Sequence, residues 1–154
     1  MSLGLVVAED LNVASWAFQK FNVFPMPVNK GIGVINTKTG EIVGAILFQN
    51  FNGYNLELSY YGQNTLTPGI VRTLARIAIL EFNVSRVTVT VSKKKKRLIR
   101  SLHRFGYKLE GSQRRYYGAR DCFRNTGIRF VLFREQIERL ARLPVLQIEK
   151  QDNA

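Results

Sequence analysis

The spacing of apolar residues changes period several times along the chain, and each change marks an element boundary. Leu3–Ala8 is an apolar run of strand length. Val13, Trp16, Ala17 and Phe21 then recur at helical spacing, which predicts a helix capped by Asn12 and running to about Phe21. Pro25 and Pro27 keep Val23–Lys30 out of regular helix. Gly31–Asn36 and Glu41–Gln49 read as strands joined by a hairpin at Thr37–Gly40, and Asn52-Gly53 signals a second hairpin into a strand at Asn55–Tyr61. These last three strands should form an antiparallel meander.

Helical spacing returns after a polar loop at Gly62–Thr67. Thr67 can cap a helix whose first residue is Pro68, a position where the missing N–H costs nothing. Ile70, Leu74, Ile77 and Ala78 mark its inner face to about Phe82, and Val71, Leu80 and Phe82 widen the apolar surface. Arg86–Ser92 is β-branched at five consecutive positions and predicts a buried strand. Lys94–Phe105 follows as a basic amphipathic helix, with Leu98, Ile99, Leu102 and Phe105 on one face and Gly106 ending it. Tyr107–Gly111 and Gly127–Phe133 read as two further strands. A last helix spans Glu135–Leu143, with i,i+4 pairs Glu135/Arg139 and Glu138/Arg142, before Pro144. The order β-α-βββ-α-β-α-ββ-α predicts an α/β fold with a central mixed seven-stranded sheet flanked by helices, in one domain over 1–143 with a tail at 144–154.

Charge adds to this picture. The chain holds 23 Lys and Arg against 11 Asp and Glu, a net +12 that points to an anionic or phosphate-bearing partner. Ahead of the last helix the excess is concentrated at Lys93–Arg104 and Arg114–Arg129. Five cations at Lys93–Arg97 oppose the dipole of the helix they open, a conflict that suggests an anion is expected there. A single cysteine, Cys122, and a single histidine, His103, argue against a disulfide framework or a Cys/His metal site. His103 reads as a surface helix residue and Cys122 as an incidental loop thiol. No run is long and apolar enough for a membrane span, and the N-terminus lacks a basic leader, so a cytoplasmic protein is expected, possible homodimerisation being left open.

Ser85-Arg86-Val87-Thr88 opening a strand, Leu98–Phe105 running into Gly106-Tyr107-Lys108-Leu109-Glu110-Gly111, Arg114-Arg115, and the closing Phe130–Glu135 together resemble the GNAT superfamily of acyl-CoA-dependent N-acetyltransferases. The wording is similar to that of ribosomal-protein acetyltransferases and of acetyltransferase-like proteins of phages and prophages. The resemblance covers roughly Gly4 to Leu140. It implies acetyl-CoA as cosubstrate, held in an opening between the fourth and fifth strands, and an amine acceptor that attacks the thioester directly.

Residue by residue, the resemblance makes Glu57 the general base and places the thioester carbonyl near the backbone of Tyr60 and Tyr61. The amides of Gly69, Ile70 and Val71 would meet the pyrophosphate, since helix-start N–H groups favour anions. Lys93, Lys94 and Lys95 would meet the 3′-phosphate. Two departures stand out. Gly62–Gly69 lacks the usual glycine spacing, with Pro68 supplying no N–H. The position of the family's thiolate-protonating Tyr falls on Leu102, so Tyr116 or Tyr117 becomes the candidate acid. The alternative is a catalytically degenerate GNAT-like phage accessory protein that binds nucleic acid or an acidic host protein through its basic face. Steep loss of binding with salt would mark that alternative.

Overall fold

A computed structural model describes residues 3–7, 9–62 and 65–142. The order of elements is β1 (Leu3–Val6), α1 (Asp10–Lys20), β2 (Lys30–Asn36), β3 (Ile42–Gln49), β4 (Asn55–Gly62), α2 (Pro68–Leu80), β5 (Arg86–Ser92), α3 (Lys96–Arg104), β6 (Lys108–Gln113), β7 (Gly127–Phe133) and α4 (Arg134–Arg142). This is an α/β fold whose seven strands make a mixed sheet. The chain divides into two compact units, Met1–Asn52 with Leu56–Thr67, and Gly53–Asn55 with Pro68–Ala154. The expected tail at 144–154 and the helix end at Leu143 lie outside the described residues.

The first unit is a four-stranded antiparallel meander, β1-β2-β3-β4, covered by α1. Its first hairpin is built as the sequence implies. The Asn36 side chain accepts from the Lys38 N–H at 3.0 Å, and Gly40, at φ +75°, closes the turn. Val13, Ala14 and Ala17 of α1 pack on Ala45 and Leu47 of β3, with Trp16, Phe18, Val28 and Tyr61 at the margin. Asn12 is not the cap of α1. The helix starts two residues earlier, at Asp10, and the Asn12 side chain donates to Glu9 Oε2 at 2.6 Å from inside it. Asp10 suits the first turn, where a carboxylate meets the positive end of the helix, and its Oδ1 also accepts from the Gly31 N–H at 3.0 Å.

In the second unit β7 lies between β5 and β6, antiparallel to both, and α2 packs on α4. The inner stripe of α2 is Ile70, Val71, Leu74, Ala75 and Ala78. Leu80 does not belong to it: two residues beyond Ala78 it has rotated to the far side and is 80 % exposed. The α3 helix begins at Lys96 rather than Lys94: Lys94 O accepts from the Lys96 N–H in a tight turn, and the first helical bond runs from the Ile99 N–H to Lys95 O, both at 3.0 Å. Lys93 N–H donates to Thr126 O at 2.9 Å and Lys95 N–H to Ser92 O at 2.9 Å. Its end is a Schellman motif: Gly106 N–H donates to His103 O and Tyr107 N–H to Leu102 O, both at 3.0 Å, with Leu102 and Tyr107 buried together. Gly106 sits at φ +96°, and a Cβ there would also meet the Gln136 side chain. On α4, Glu138 pairs with Arg134 at 3.0 Å and with Arg142 at 3.9 Å, whereas Arg139 donates to Gln136.

Candidate functional site

Glu57 lies in β4 directly opposite Gln49 of β3. Opposed residues of an antiparallel pair share a face. Glu57, Ser59 and Tyr61 therefore sit on the same side as Gln49, Leu47 and Ala45, the side α1 covers. Leu56 and Leu58 point the other way and are buried, as strand alternation requires. Around Glu57 the first unit assembles a polar group that spacing alone does not reveal. Asn50 Nδ2 donates to Glu57 Oε2 at 3.0 Å, Ser59 Oγ donates to Gln49 Oε1 at 3.1 Å, and Gln49 Nε2 donates to Pro27 O at 3.4 Å. Asn50 reaches the carboxylate from a left-handed backbone, φ +55°, at the exit of β3, and only the β3–β4 register makes the two neighbours. Gln49 is buried while Glu57 remains partly open. This arrangement ties the Glu57 carboxylate to Asn50 at the exit of β3.

Tyr60 and Tyr61 fall on opposite faces of β4. Tyr61 packs at the margin of the α1 cluster with its ring 5.5 Å from that of Phe21. The loop between α1 and β2, whose Pro27 carbonyl reaches Gln49, exposes Phe24 at 79 % and Met26 at 49 %.

The remaining predicted site residues belong to the second unit. Gly69, Ile70 and Val71 form the first turn of α2 behind Pro68, and the space a Cβ would fill at Gly69 is open. Ile70 and Val71 are buried by their side chains, so only their backbone is suited to a contact with an anion. Lys93, Lys94 and Lys95 are exposed at the end of β5. The structure brings Tyr116 and Tyr117 beside them. Tyr117 Oη donates to Thr90 O at 3.0 Å, the two tyrosine rings meet edge to face at 4.8 Å, and Tyr116 lies against Gly127, which is paired with Ser92. Tyr117 thus has its hydroxyl proton engaged with β5, while Tyr116 is half exposed.

Phe123, which spacing and charge do not mark, completes this end of the second unit with Arg124 of the basic run. Lys93 Nζ lies 5.4 Å from the Phe123 ring centroid, and Ser92 Oγ donates to Arg124 O at 2.8 Å. Thirty residues separate these partners, so only the pairing of β5 with β7 joins them. Arg114 and Asp121 form an ion pair across the loop from β6 to β7. The hydrogen bond from Arg114, ahead of its charge, holds the Asp121 carboxyl below the usual carboxylate range. A second network on β5 is fully satisfied. Asn55 Nδ2 donates to Thr88 Oγ1 at 3.2 Å, Arg86 Nε donates to Asn55 Oδ1 at 3.1 Å, and Arg86 is also paired with Glu110. Arg86 therefore serves the fold. His103 is an exposed residue of α3, as the sequence implies, with its ring edge to face on that of Phe130. Among the described residues no group of three or more His, Cys, Asp or Glu converges as a metal site would, and no helix is long and apolar enough to cross a membrane.

No protein-family model matches the chain, and no curated protein sequence matches it. Solved structures do match. Mutant forms of the spermidine/spermine N-acetyltransferase SpeG from Vibrio cholerae align over 90% of this chain and 98% of theirs, with TM-score 0.67 and 8% identity. The ribosomal-protein-S5-alanine acetyltransferase from Vibrio fischeri aligns over 86% and 92%, with TM-score 0.62 and 12% identity. A GNAT-family acetyltransferase from Bacillus anthracis aligns over 68% and 66%, with TM-score 0.53 and 14% identity. The chain has the GNAT acetyltransferase fold.

Proposed function

We propose that the protein is an N-acetyltransferase that uses acetyl-CoA and an amine acceptor. The observation that carries the reading is Glu57, a partly open carboxylate fixed by Asn50 on β4 of a GNAT fold. Acetyl-CoA supplies the activated acetyl thioester. Glu57 takes the proton of the incoming ammonium, since an amine attacks only when unprotonated. Asn50 Nδ2 donates to Glu57 Oε2 and holds the carboxylate in place. Backbone N–H groups near Tyr60 and Tyr61 are assigned to the acetyl carbonyl. Gly69, Ile70 and Val71 are assigned to the pyrophosphate through backbone amides, with the open space at Gly69 in support. Lys93, Lys94 and Lys95 are assigned to the 3′-phosphate. Tyr116 rather than Tyr117 returns a proton to the departing thiolate, because the Tyr117 hydroxyl is held by Thr90 O.

Two measurements test the reading. Millimolar acetyl-CoA should raise the melting temperature; a ligand at about 100 times its Kd stabilises by about 2.7 kcal/mol. No shift at that concentration overturns the reading. Glu57→Gln should keep the shift and lower thiol release with an accepted amine by about 10²-fold or more. An equally active Gln variant removes Glu57 from the role.

A further inference from the structure

The second unit carries far more cations than one CoA molecule uses, and nine of its twenty lie at one end of its sheet. Lys93–Arg97 follow β5, and Arg114, Arg115, Arg120 and Arg124 lie in the loop from β6 to β7. All nine side chains belong to exposed residues. The two segments are joined rather than merely near. Lys93 N–H donates to Thr126 O, Ser92 Oγ donates to Arg124 O, and Lys93 Nζ rests over Phe123. The one acidic residue among them, Asp121, is already paired with Arg114. Aromatic rings stand among the charges: Phe123 is 52 % exposed, Tyr116 49 % and Tyr117 46 %. An exposed ring among cations has a cost in water and a use against a flat, polyanionic ligand.

We infer that this end of the second unit, formed by 92–97 and 114–126, binds single-stranded nucleic acid, with phosphates on the lysines and arginines and bases on Phe123 and its neighbouring tyrosines. The charges alone would suit any polyanion. The half-exposed rings favour unpaired bases over a duplex, whose bases are stacked away, and over an acidic peptide, which has no base to stack. The surface extends past Lys93–Lys95, so it does not depend on the acyltransferase reading.

The test is fluorescence anisotropy of a labelled 20-nucleotide oligouridylate with the full chain, without acetyl-CoA, across a salt series. Binding should weaken with a log–log slope of about −3 or steeper, as expected at about −0.7 per phosphate neutralised on a single strand. Arg120→Glu with Arg124→Glu should lose about tenfold or more at fixed salt, and Phe123→Ala about fivefold or more. Lys20→Glu with Lys38→Glu makes the same change in net charge within the first unit and should lose less than about twofold. Circular dichroism should hold in each variant, since every substituted side chain is exposed, and the melting temperature should fall only slightly where Lys20→Glu puts an acid in the last turn of α1. Equal losses from the two double variants overturn the site in favour of bulk charge. Tighter binding of a duplex overturns the single-stranded assignment. Polyglutamate binding as tightly as the oligonucleotide, with Phe123→Ala without effect on either, assigns the surface to an acidic protein instead.

Discussion

Residues Met1–Asn52 with Leu56–Thr67 contain three lysines and no arginine, against four Asp and Glu; the second unit holds the other twenty basic residues against seven acidic ones. Under these different surfaces the interiors are alike. Phe48, Leu47 and Ile46 are fully buried in the first unit, and Phe130, Leu102 and Val89 nearly so in the second. The difference teaches that stability and charge are separate matters in this chain. Apolar burial supports both units, whereas the basic residues of the second lie outside its buried apolar core. The chain's net +12 therefore comes from one unit: twenty basic against seven acidic residues give +13 in the second, and three against four give −1 in the first.

The largest expected effects test whether the two cores are equivalent. Phe48→Ala and Phe130→Ala should each destabilise by about 3–5 kcal/mol in chemical denaturation. A loss much smaller at Phe130 would show that the second unit relies on something other than apolar packing. Next come the glycines at positive φ. Gly106→Ala combines a left-handed backbone with the Gln136 side chain in the way and should cost about 1–2 kcal/mol, while Gly40→Ala, with open space around it, should show only the backbone part, about 1 kcal/mol. Equal melting temperatures for the two variants would remove the Gly106–Gln136 contact from the account.

Smaller effects concern charge. Lys96→Glu places an acid in the first turn of α3, which has none, and should stabilise the protein by about 0.3–1 kcal/mol at low salt while weakening oligonucleotide binding. Opposite signs in the two measurements would separate folding from binding at one residue; a loss of stability would show that the lysine side chain serves the fold. The smallest effect is pH-dependent. Asp121 has its folded pKa depressed by Arg114, so the pair's contribution is present above the ordinary carboxylate pKa and is lost as pH falls through the lower folded value. Both groups are exposed and screened, so an NMR titration of the Asp121 carboxyl is the suitable measurement rather than global unfolding. An unshifted titration would dissolve the pair.

Much of the architecture was legible because it depends on neighbours in sequence. The hairpin at Thr37–Gly40, Pro68 at the start of α2, the β-branched β5 and the Gly106 stop all follow from local chemistry. The misses came where tertiary contacts competed with local signals. Asn12 looked like a cap, but Asp10 begins the helix and bonds to Gly31. Lys94 is expected in the helix, but its carbonyl closes a tight turn with the Lys96 N–H, and the helical bonds start at Lys95 O.

The same division runs through the candidate site. Alternation along β4 was enough to set Glu57 apart from Leu56 and Leu58, and counting charges was enough to single out Lys93–Arg97. The partners of those residues were not available to any count. Asn50 meets Glu57 only through the β3–β4 register, and Phe123 and Arg124 meet Lys93 and Ser92 only because β7 pairs with β5. Sequence determines which residues a strand or helix turns to one face, since that periodicity is set by the backbone. Which distant residues share that face depends on register and strand order, and those are decided when the whole chain buries its apolar surface together.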